Sequence, residues 1–465
     1  MQLANLRNFK FSNFSFYQYF FTAYIGLHST FSILLGNITA FAPDENVYKS
    51  IFARLYSAGF TSEVLGFGGA WEPWLRLVYL PAKLLTYLGL SDLMAARFLA
   101  ITYSALATYL LIKIAKANGR DDRVFKAAII VISFIPTVFL WSSIGLRESF
   151  LYLEISAILY GYSRLKSSLD LRNTILIGFA IFSLAMTKNY IYILFLFATL
   201  ITLFMFTFIN RRNLLNHLLV LSLTLLPLAV NPTLIPAISN YLLGQVEKVD
   251  RIEIGDINND GRCDSFEPCS SGNGNGNGNG NEDPIRLVAT GGMTVHALLN
   301  QLEGSPSSFV ARLANGLGIT AKLRSIATNA IVLKTDKEVI RNQKQLSLQQ
   351  AGLKKPGQVL KSTAKFLLVP FIFIDNGSLF LNIQSIETPL WLFIYVLFFL
   401  GLYQLVRNRW EIDYAVAMAT LFVFEFLVIS ALTEINVGTA LRHRSLLLIP
   451  ILVIWVARKK KAETI

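Results

Sequence analysis

The chain has 465 residues, of which 54% are hydrophobic and 15% are charged. This balance excludes a soluble enzyme and is typical of a protein that crosses a membrane several times. The formal net charge of +13 does not indicate a nucleic-acid partner, because the basic residues cluster beside apolar segments. We therefore expect membrane lipid as a partner and no nucleic acid.

Hydropathy and segment length predict an all-α polytopic membrane protein with about ten transmembrane helices. These spans lie at 17–40, 92–115, 125–143, 149–163, 173–187, 190–210, 214–236, 388–406, 414–433 and 445–457. The apolar segment 74–90 contains Pro81 and Lys83, and we expect it to lie along the membrane surface or to re-enter the membrane. Segment 366–374 has the same character. Glu154 and Glu425 fall within spans and should face the bundle interior or a polar cavity.

Lysine and arginine clusters predict the orientation of these spans. They precede the first span and then follow every second one: Arg7, Lys10; Lys113, Lys116, Arg120, Arg123; Arg164, Lys166, Arg172; Arg211, Arg212; Arg407, Arg409; Arg458, Lys459, Lys460, Lys461. With alternating spans, all of these clusters fall on one side, which is the cytoplasmic side by the positive-inside rule. Both termini are then cytoplasmic.

This topology divides the chain into three parts. An N-terminal transmembrane region of about seven spans covers 1–236, a long extracytoplasmic loop covers 237–387, and a C-terminal region of about three spans covers 388–465. Within the loop, the Gly-Asn run at 272–281 has no apolar residue to bury, so we expect a flexible tether.

Residues 256–267 of the long loop match a calcium-binding loop of the EF-hand type. Gly261 stands where the sharp turn is needed. The predicted oxygen ligands are the side chains of Asp256, Asn258, Asp260, Asp264 and Glu267 and the carbonyl of Arg262. Because no nucleophile lies nearby, we expect the Ca²⁺ to be structural.

Two cysteines, Cys263 and Cys269, bracket the end of the calcium loop. An outer-face location favours a disulfide between them. The alternative is a metal-thiolate site, which is disfavoured because no histidine or further cysteine lies nearby.

The short outer loops contain polar residues that are candidates for catalysis or for binding phosphate. Asp44 and Glu45 follow the first span directly, and a carboxylate at the bilayer edge can take a proton from an acceptor hydroxyl. The simpler interpretation is a solvated pair of acids.

Arg147, between the third and fourth spans, can bind a phosphate bidentately, with Glu148 orienting it. An interfacial salt bridge between these two residues is the alternative.

Two further outer segments carry cations. Lys188 lies at an outer helix end, where snorkelling toward the interface is the default explanation. Arg442, His443 and Arg444 precede the last span, and arginines in a short outer loop contradict the positive-inside rule. A phosphate or pyrophosphate ligand accounts for them, and a turn that binds lipid headgroups is the alternative. His443 can also serve as a proton acceptor.

The order of these motifs resembles a known group of proteins. PDExxY follows the first span, WSSxxLRE follows the third, and NxGTxxRHR precedes the last. With Leu368-Val369-Pro370-Phe371 and Glu387-Thr388-Pro389-Leu390-Trp391, this order resembles bacterial multispanning envelope-polysaccharide proteins, described as GT-C-type glycosyltransferases or polysaccharide polymerases. The resemblance covers most of the chain but not the calcium and Gly-Asn segments.

The resemblance implies a glycosyltransferase of the bacterial inner membrane, with a polyprenyl-phosphate-linked sugar as donor, a glycan as acceptor and an active site at the outer face. It implies Asp44 as the base, with Glu45 as a substitute, and Arg147, Lys188, Arg442 and Arg444 as ligands of the donor phosphate. The first loop lacks the further acidic motif of metal-dependent members, so no catalytic metal is implied.

Three other functions are compatible with the sequence. An O-antigen-type polymerase or ligase would rely on the outer arginines and His443 without a first-loop acid. In a flippase, the same cations would line a path for lipid-linked oligosaccharide. The sequence disfavours this function, because it has no internal repeat and no matched pair of broken helices. A calcium-stabilised adhesion protein would leave the spans and the outer arginines without a role.

Overall fold

The structure is a computed structural model that describes only part of the chain. The described residues are 15–39, 45, 48, 53, 72–165, 171–209, 214–230, 303–304, 312, 315, 360, 363–364, 366–368, 385–407, 412–433 and 437–457. Every regular element in these ranges is a helix, as the sequence predicts. Asp44, the calcium loop at 256–267 with Cys263 and Cys269, and the tether at 272–281 lie outside the described residues.

Thirteen α-helices follow one another in the described ranges. They are α1 (Phe16–Leu35), α2 (Glu72–Tyr87), α3 (Asp92–Ala117), α4 (Arg123–Phe134), α5 (Pro136–Ser143), α6 (Glu148–Arg164), α7 (Leu171–Thr187), α8 (Asn189–Ile209), α9 (Leu214–Val230), α10 (Thr388–Arg407), α11 (Tyr414–Thr433), α12 (Val437–Arg444) and α13 (Leu448–Trp455). A short 3₁₀ turn, Ser445–Leu447, joins α12 to α13.

Helical structure occupies every segment predicted to be a span, and the protein is embedded in the membrane. In the described part of the chain, α3, α8 and α10 are each long and apolar enough to cross a bilayer, and α7, α9 and α11 are further apolar helices. The third predicted span is two helices, α4 and α5, which meet at an angle of 61°. Ile135 is extended between them because Pro136 disfavours helical geometry in the residue before it.

Helix α6 is the centre of the bundle. It packs against α3, α7, α11 and α13, and most of its side chains between Glu148 and Tyr162 are buried. Glu154 faces the bundle interior, as predicted, and its Oε1 accepts hydrogen bonds from Ser183 Oγ at 2.5 Å and Thr187 Oγ1 at 2.8 Å. Polar groups inside the apolar bundle are thus hydrogen-bonded between α6 and α7.

Helices α10 and α13 approach each other closely at Gly401, so this glycine offers a test of their packing. A Cβ atom there would lie 3.0 Å from Trp455 Cα and 3.1 Å from Trp455 N. Because these are backbone atoms, no side-chain rotation can relieve the close contact. We expect Gly401→Ala to destabilise the protein by about 1–3 kcal/mol, measured as a lower melting temperature in detergent. Gly26→Ala is the control, because no atom lies within 4 Å of its added Cβ. Equal melting temperatures for the two variants would contradict this packing.

Polar contacts mark the two ends of the bundle. At one end, the Lys116 ammonium lies 4.2 Å from the centre of the Tyr17 ring, and Arg120 donates to Gln404 Oε1 at 3.2 Å. Arg97, on the same helix as Lys116, is about 28 Å away at 1.5 Å per residue. Arg97 pairs with Glu45 of the first predicted outer motif, so Lys116 and Arg120 lie at the opposite end of α3 from that motif.

Candidate functional site

The predicted outer motifs come together at one end of the bundle. Four places in the chain supply the side chains: the end of α5, the start of α6, the junction of α7 and α8, and α12. Because neighbouring helices run antiparallel, their ends on this side meet although they are far apart in sequence. The WSSxxLRE and RHR motifs are thereby brought into contact.

Glu148 and Arg442 form the central ion pair of this site. Arg442 Nε lies 2.5 Å from Glu148 Oε1, and Arg442 NH2 donates to Glu148 Oε2 at 2.9 Å. The carboxylate is completely buried. The guanidinium also lies over the Trp141 ring, with 5.9 Å between its carbon and the ring centre. Sequence alone paired Glu148 with Arg147, and the structure adds Arg442 as a partner from the far end of the chain.

The electrostatic surroundings of Glu148 are strongly positive. Glu148 is the first residue of α6 and lies just outside the predicted span 149–163. Burial by itself raises the pKa of this carboxyl, but Arg442, Lys188 and Arg147 outweigh it and hold the pKa at about 2. Three cations thus converge on one buried carboxylate at the positive end of the α6 dipole. Arginine forks and an ammonium are the groups that proteins use to bind phosphate oxygens.

His443 joins the same cluster through Lys188. The Lys188 Nζ lies 2.6 Å from His443 Nε2, and the Tyr190 hydroxyl lies 2.8 Å from the same nitrogen. Lys188 and His443 are both buried. Snorkelling therefore does not describe Lys188, because its ammonium contacts another side chain in the protein interior. We call Arg147, Glu148, Lys188, Arg442 and His443 the Glu148 cluster.

Arg444 has different surroundings, which favour a structural role over the predicted one of holding phosphate. It is completely buried, and its NH1 donates to the Leu367 carbonyl at 2.7 Å. Its NH2 lies 3.6 Å from Glu387 Oε1, and its guanidinium carbon lies 4.4 Å from the centre of the Trp391 ring. Glu387 in turn accepts hydrogen bonds from the backbone N–H and the hydroxyl of Thr137 and from Trp391 Nε1.

Glu45 is likewise held in a buried ion pair, which favours a structural role over that of a substitute base. Arg97 contacts its two carboxylate oxygens at 2.7 and 2.9 Å, and the backbone N–H of Gly145 donates to Oε1 at 2.8 Å. The remaining guanidinium hydrogens go to the carbonyls of Ser32, Gly36 and Ile38. This network fastens the first loop to the end of α1 and to the turn before α6.

His28 is a buried polar residue that the sequence analysis missed. Its Nδ1 lies 2.8 Å from Ser143 Oγ and 3.1 Å from Ser142 Oγ. Each serine hydroxyl also lies 2.7 Å from a carbonyl of α5 to which it can donate, so all of these contacts are satisfied when Nδ1 carries a proton. A histidine inside a predicted span is itself a signal of a polar site. The two serines of WSSxxLRE thereby fasten α5 to α1.

A narrow and mainly apolar crevice begins beside the Glu148 cluster. It runs between α1, α3, α4, α6 and α13, and its lining includes Tyr24, Leu111, Ile132, Tyr152 and Ser445. The Tyr152 hydroxyl lies 2.6 Å from Ser445 Oγ, which donates to the Arg442 carbonyl at 2.6 Å. These two hydroxyls therefore lie between the crevice and the Glu148 cluster.

Metal binding finds no support in the described part of the chain. No group of three or more His, Cys, Asp or Glu side chains there is placed to hold an ion. The calcium loop and Asp44 lie outside that part, so their predicted roles stay predictions.

Comparisons were made with protein-family models, with curated proteins and with solved structures. None of the three finds a match for this chain.

Proposed function

We propose that the protein is a membrane glycosyltransferase that takes sugar from a polyprenyl-phosphate-linked donor at the outer face, for the assembly of cell-surface glycan. The observation that carries this proposal is the buried ion pair of Glu148 with Arg442, beside which Lys188 contacts His443. Such a cluster suits the negative charge that develops on a phosphate as it leaves the anomeric carbon.

The crevice supports a lipid-linked donor over a soluble nucleotide sugar. It begins at Tyr152 and Ser445, beside Arg442, and continues between helices that are apolar on their facing sides. A phosphate held by the cluster would place its hydrocarbon chain beside these apolar helix faces, which would have to separate to admit it.

A polymerase or ligase of the O-antigen kind is the second candidate, and the position of His443 favours it. His443 lies within the cluster, where it can take the proton of an acceptor hydroxyl without a first-loop acid. In the glycosyltransferase reaction Asp44 takes that proton. The two candidates share the phosphate site and differ in the base.

The proposal includes a topology of about ten spans in the bacterial inner membrane, with both termini in the cytoplasm. The separation of the basic end from the Glu148 cluster supports it, since positive residues of short loops stay on the cytoplasmic side. The predicted parts 1–236, 237–387 and 388–465 belong to the same topology, and the structural calcium loop would then lie outside the cytoplasm, where calcium is abundant.

Replacing Arg442 or Asp44 tests the proposal. In a deletion strain, we expect Arg442→Ala to lower the surface-glycan product on the order of a hundredfold, because one donor to the developing charge is lost. Asp44→Ala should abolish it through loss of the base. Lipid-linked and surface glycans would be measured, with membrane levels of each variant checked by immunoblot. Arg407→Ala, at the opposite end of the bundle, is the matched control and should behave like wild type.

The outcomes separate the candidates. Product retained in Asp44→Ala but lost in Arg442→Ala would replace the transferase with the polymerase or ligase. Unchanged glycans in the deletion strain would overturn both. Accumulation of a complete lipid-linked oligosaccharide, without activity of the purified protein in detergent, would indicate a flippase instead.

A further inference from the structure

The contact between a charged Lys188 and His443 determines which histidine nitrogen carries the proton. A lysine ammonium has three donors and no acceptor. At 2.6 Å from Lys188 Nζ, His443 Nε2 must therefore be unprotonated and accept the hydrogen bond. The neutral ring then carries its proton on Nδ1, and the Tyr190 hydroxyl, 2.8 Å from Nε2, can donate to the same nitrogen as Lys188.

The charges around His443 maintain this neutral state. In the described part of the chain, the charged and titratable groups nearby include Lys188 between α7 and α8, Tyr190 of α8, Tyr152 of α6, Arg147 and Glu148 at the start of α6, Arg442 and Arg444 of α12, and Glu387. Glu148 is paired with Arg442 and Glu387 with Arg444. An imidazolium beside the Lys188 ammonium would place two positive charges in contact in the protein interior, which is unfavourable.

We propose that Lys188 is a latch on His443, which opens when a phosphate binds. The inference rests on the second candidate function, the polymerase or ligase in which His443 takes the acceptor proton, and deepens it by assigning the order of events at the site. In the absence of substrate, Lys188 occupies the lone pair of Nε2, so the histidine cannot take a proton. A donor phosphate attracts the ammonium more strongly than a neutral ring does. Lys188 moves to the phosphate, and Nε2 keeps only the contact with the Tyr190 hydroxyl, which the acceptor hydroxyl displaces.

The freed Nε2 then serves in the transfer step. The acceptor hydroxyl gives its proton to Nε2, and its oxygen forms a bond to the anomeric carbon. The bond from that carbon to the phosphate oxygen breaks, and the electron pair leaves with the phosphate, next to Lys188. The imidazolium passes its proton to the departing phosphate, which restores the starting state. Lys188 is thus a positioning residue for His443 as well as a phosphate ligand.

Nuclear magnetic resonance of the full chain in nanodiscs tests the latch. The titration of His443, identified by comparison with His443→Gln, would be followed by its ring ¹⁵N shifts. Without ligand, we expect Lys188→Met to move the midpoint of this titration upward by about one pH unit or more, because the neighbouring cation is gone. Lys188→Arg should keep the midpoint of wild type. Lys116→Met, at the opposite end of the bundle, is the matched control.

Inorganic pyrophosphate is the probe for the opening of the latch. Labelled Lys188 Nζ should lose its dipolar coupling to the His443 ring when the probe is added and gain a coupling to ³¹P. Binding of pyrophosphate with the coupling to the ring retained would overturn the latch alone. If calorimetry detects no binding of pyrophosphate to the wild type or to Arg442→Ala, both the latch and the proposed phosphate site are overturned. An unchanged titration in Lys188→Met also overturns the latch, whatever binds.

Discussion

Arg97→Met is expected to destabilise the protein by about 3–5 kcal/mol, because it leaves the Glu45 carboxylate buried without its partner. Arg97 contacts both oxygens of Glu45 and the carbonyls of Ser32, Gly36 and Ile38. Both side chains are inaccessible to solvent. The measurement is the loss of melting temperature in detergent, together with the amount of folded protein in the membrane.

A double variant separates the charge effect from a general loss of packing. Arg97→Met with Glu45→Met removes both charges, so it should recover part of the stability lost in Arg97→Met alone. Arg407→Met is the control for removing a surface arginine. In the part of the chain that the structure describes, the guanidinium of Arg407 lies over the Tyr403 ring and forms no ion pair. A double variant less stable than either single variant would contradict the interpretation of a paired buried charge.

Arg444→Met is expected to cost about 3–5 kcal/mol as well, again by leaving a buried carboxylate, that of Glu387, without its cation. This arginine also contacts the Leu367 carbonyl and the Trp391 ring, so it joins the chain before α10 to α10 and α12. Thermal melting would measure the loss. The neighbouring variant Arg442→Ala serves as a comparison, because Arg442 is partly accessible and is proposed to bind substrate.

The two arginines should therefore give opposite patterns. Arg444→Met should lower the melting temperature strongly. Arg442→Ala should lower the affinity for pyrophosphate with a smaller effect on melting, because Lys188 and Arg147 still stabilise the Glu148 carboxylate. If Arg444→Met folds with wild-type stability and loses pyrophosphate binding, the structural interpretation of Arg444 is wrong and the role predicted from the sequence stands.

The helices were predictable because long apolar segments leave a membrane protein few alternatives. Segment 92–115 corresponds to α3 and segment 414–433 to α11. The bend within 125–143 was missed, although Pro136 is its physical cause. A proline in a span can be accommodated by a neighbouring helix or can break the span, and hydropathy does not distinguish these outcomes.

The candidate site was predictable as a set of residues but not as a set of pairs. Arg442 and Arg444 look equivalent in the sequence, yet residues two apart on a helix point to different sides. One therefore meets Glu148 and the other Glu387. Arg97 was missed because it lies in an apolar segment and its partner, Glu45, is distant in sequence. Such pairings follow from helix packing, which no local pattern encodes.

The pairing of Glu148 with Arg442 has a consequence for how the molecule is made. The two residues are 294 positions apart, one near the start of α6 and the other in α12. During synthesis, Glu148 enters the membrane long before Arg442 has been made. This carboxyl therefore lacks its arginine partner until the final helices insert. Assembly of the Glu148 cluster is therefore a late event in biogenesis, and a chain that stops before α12 would carry the acidic half of the site without its cation.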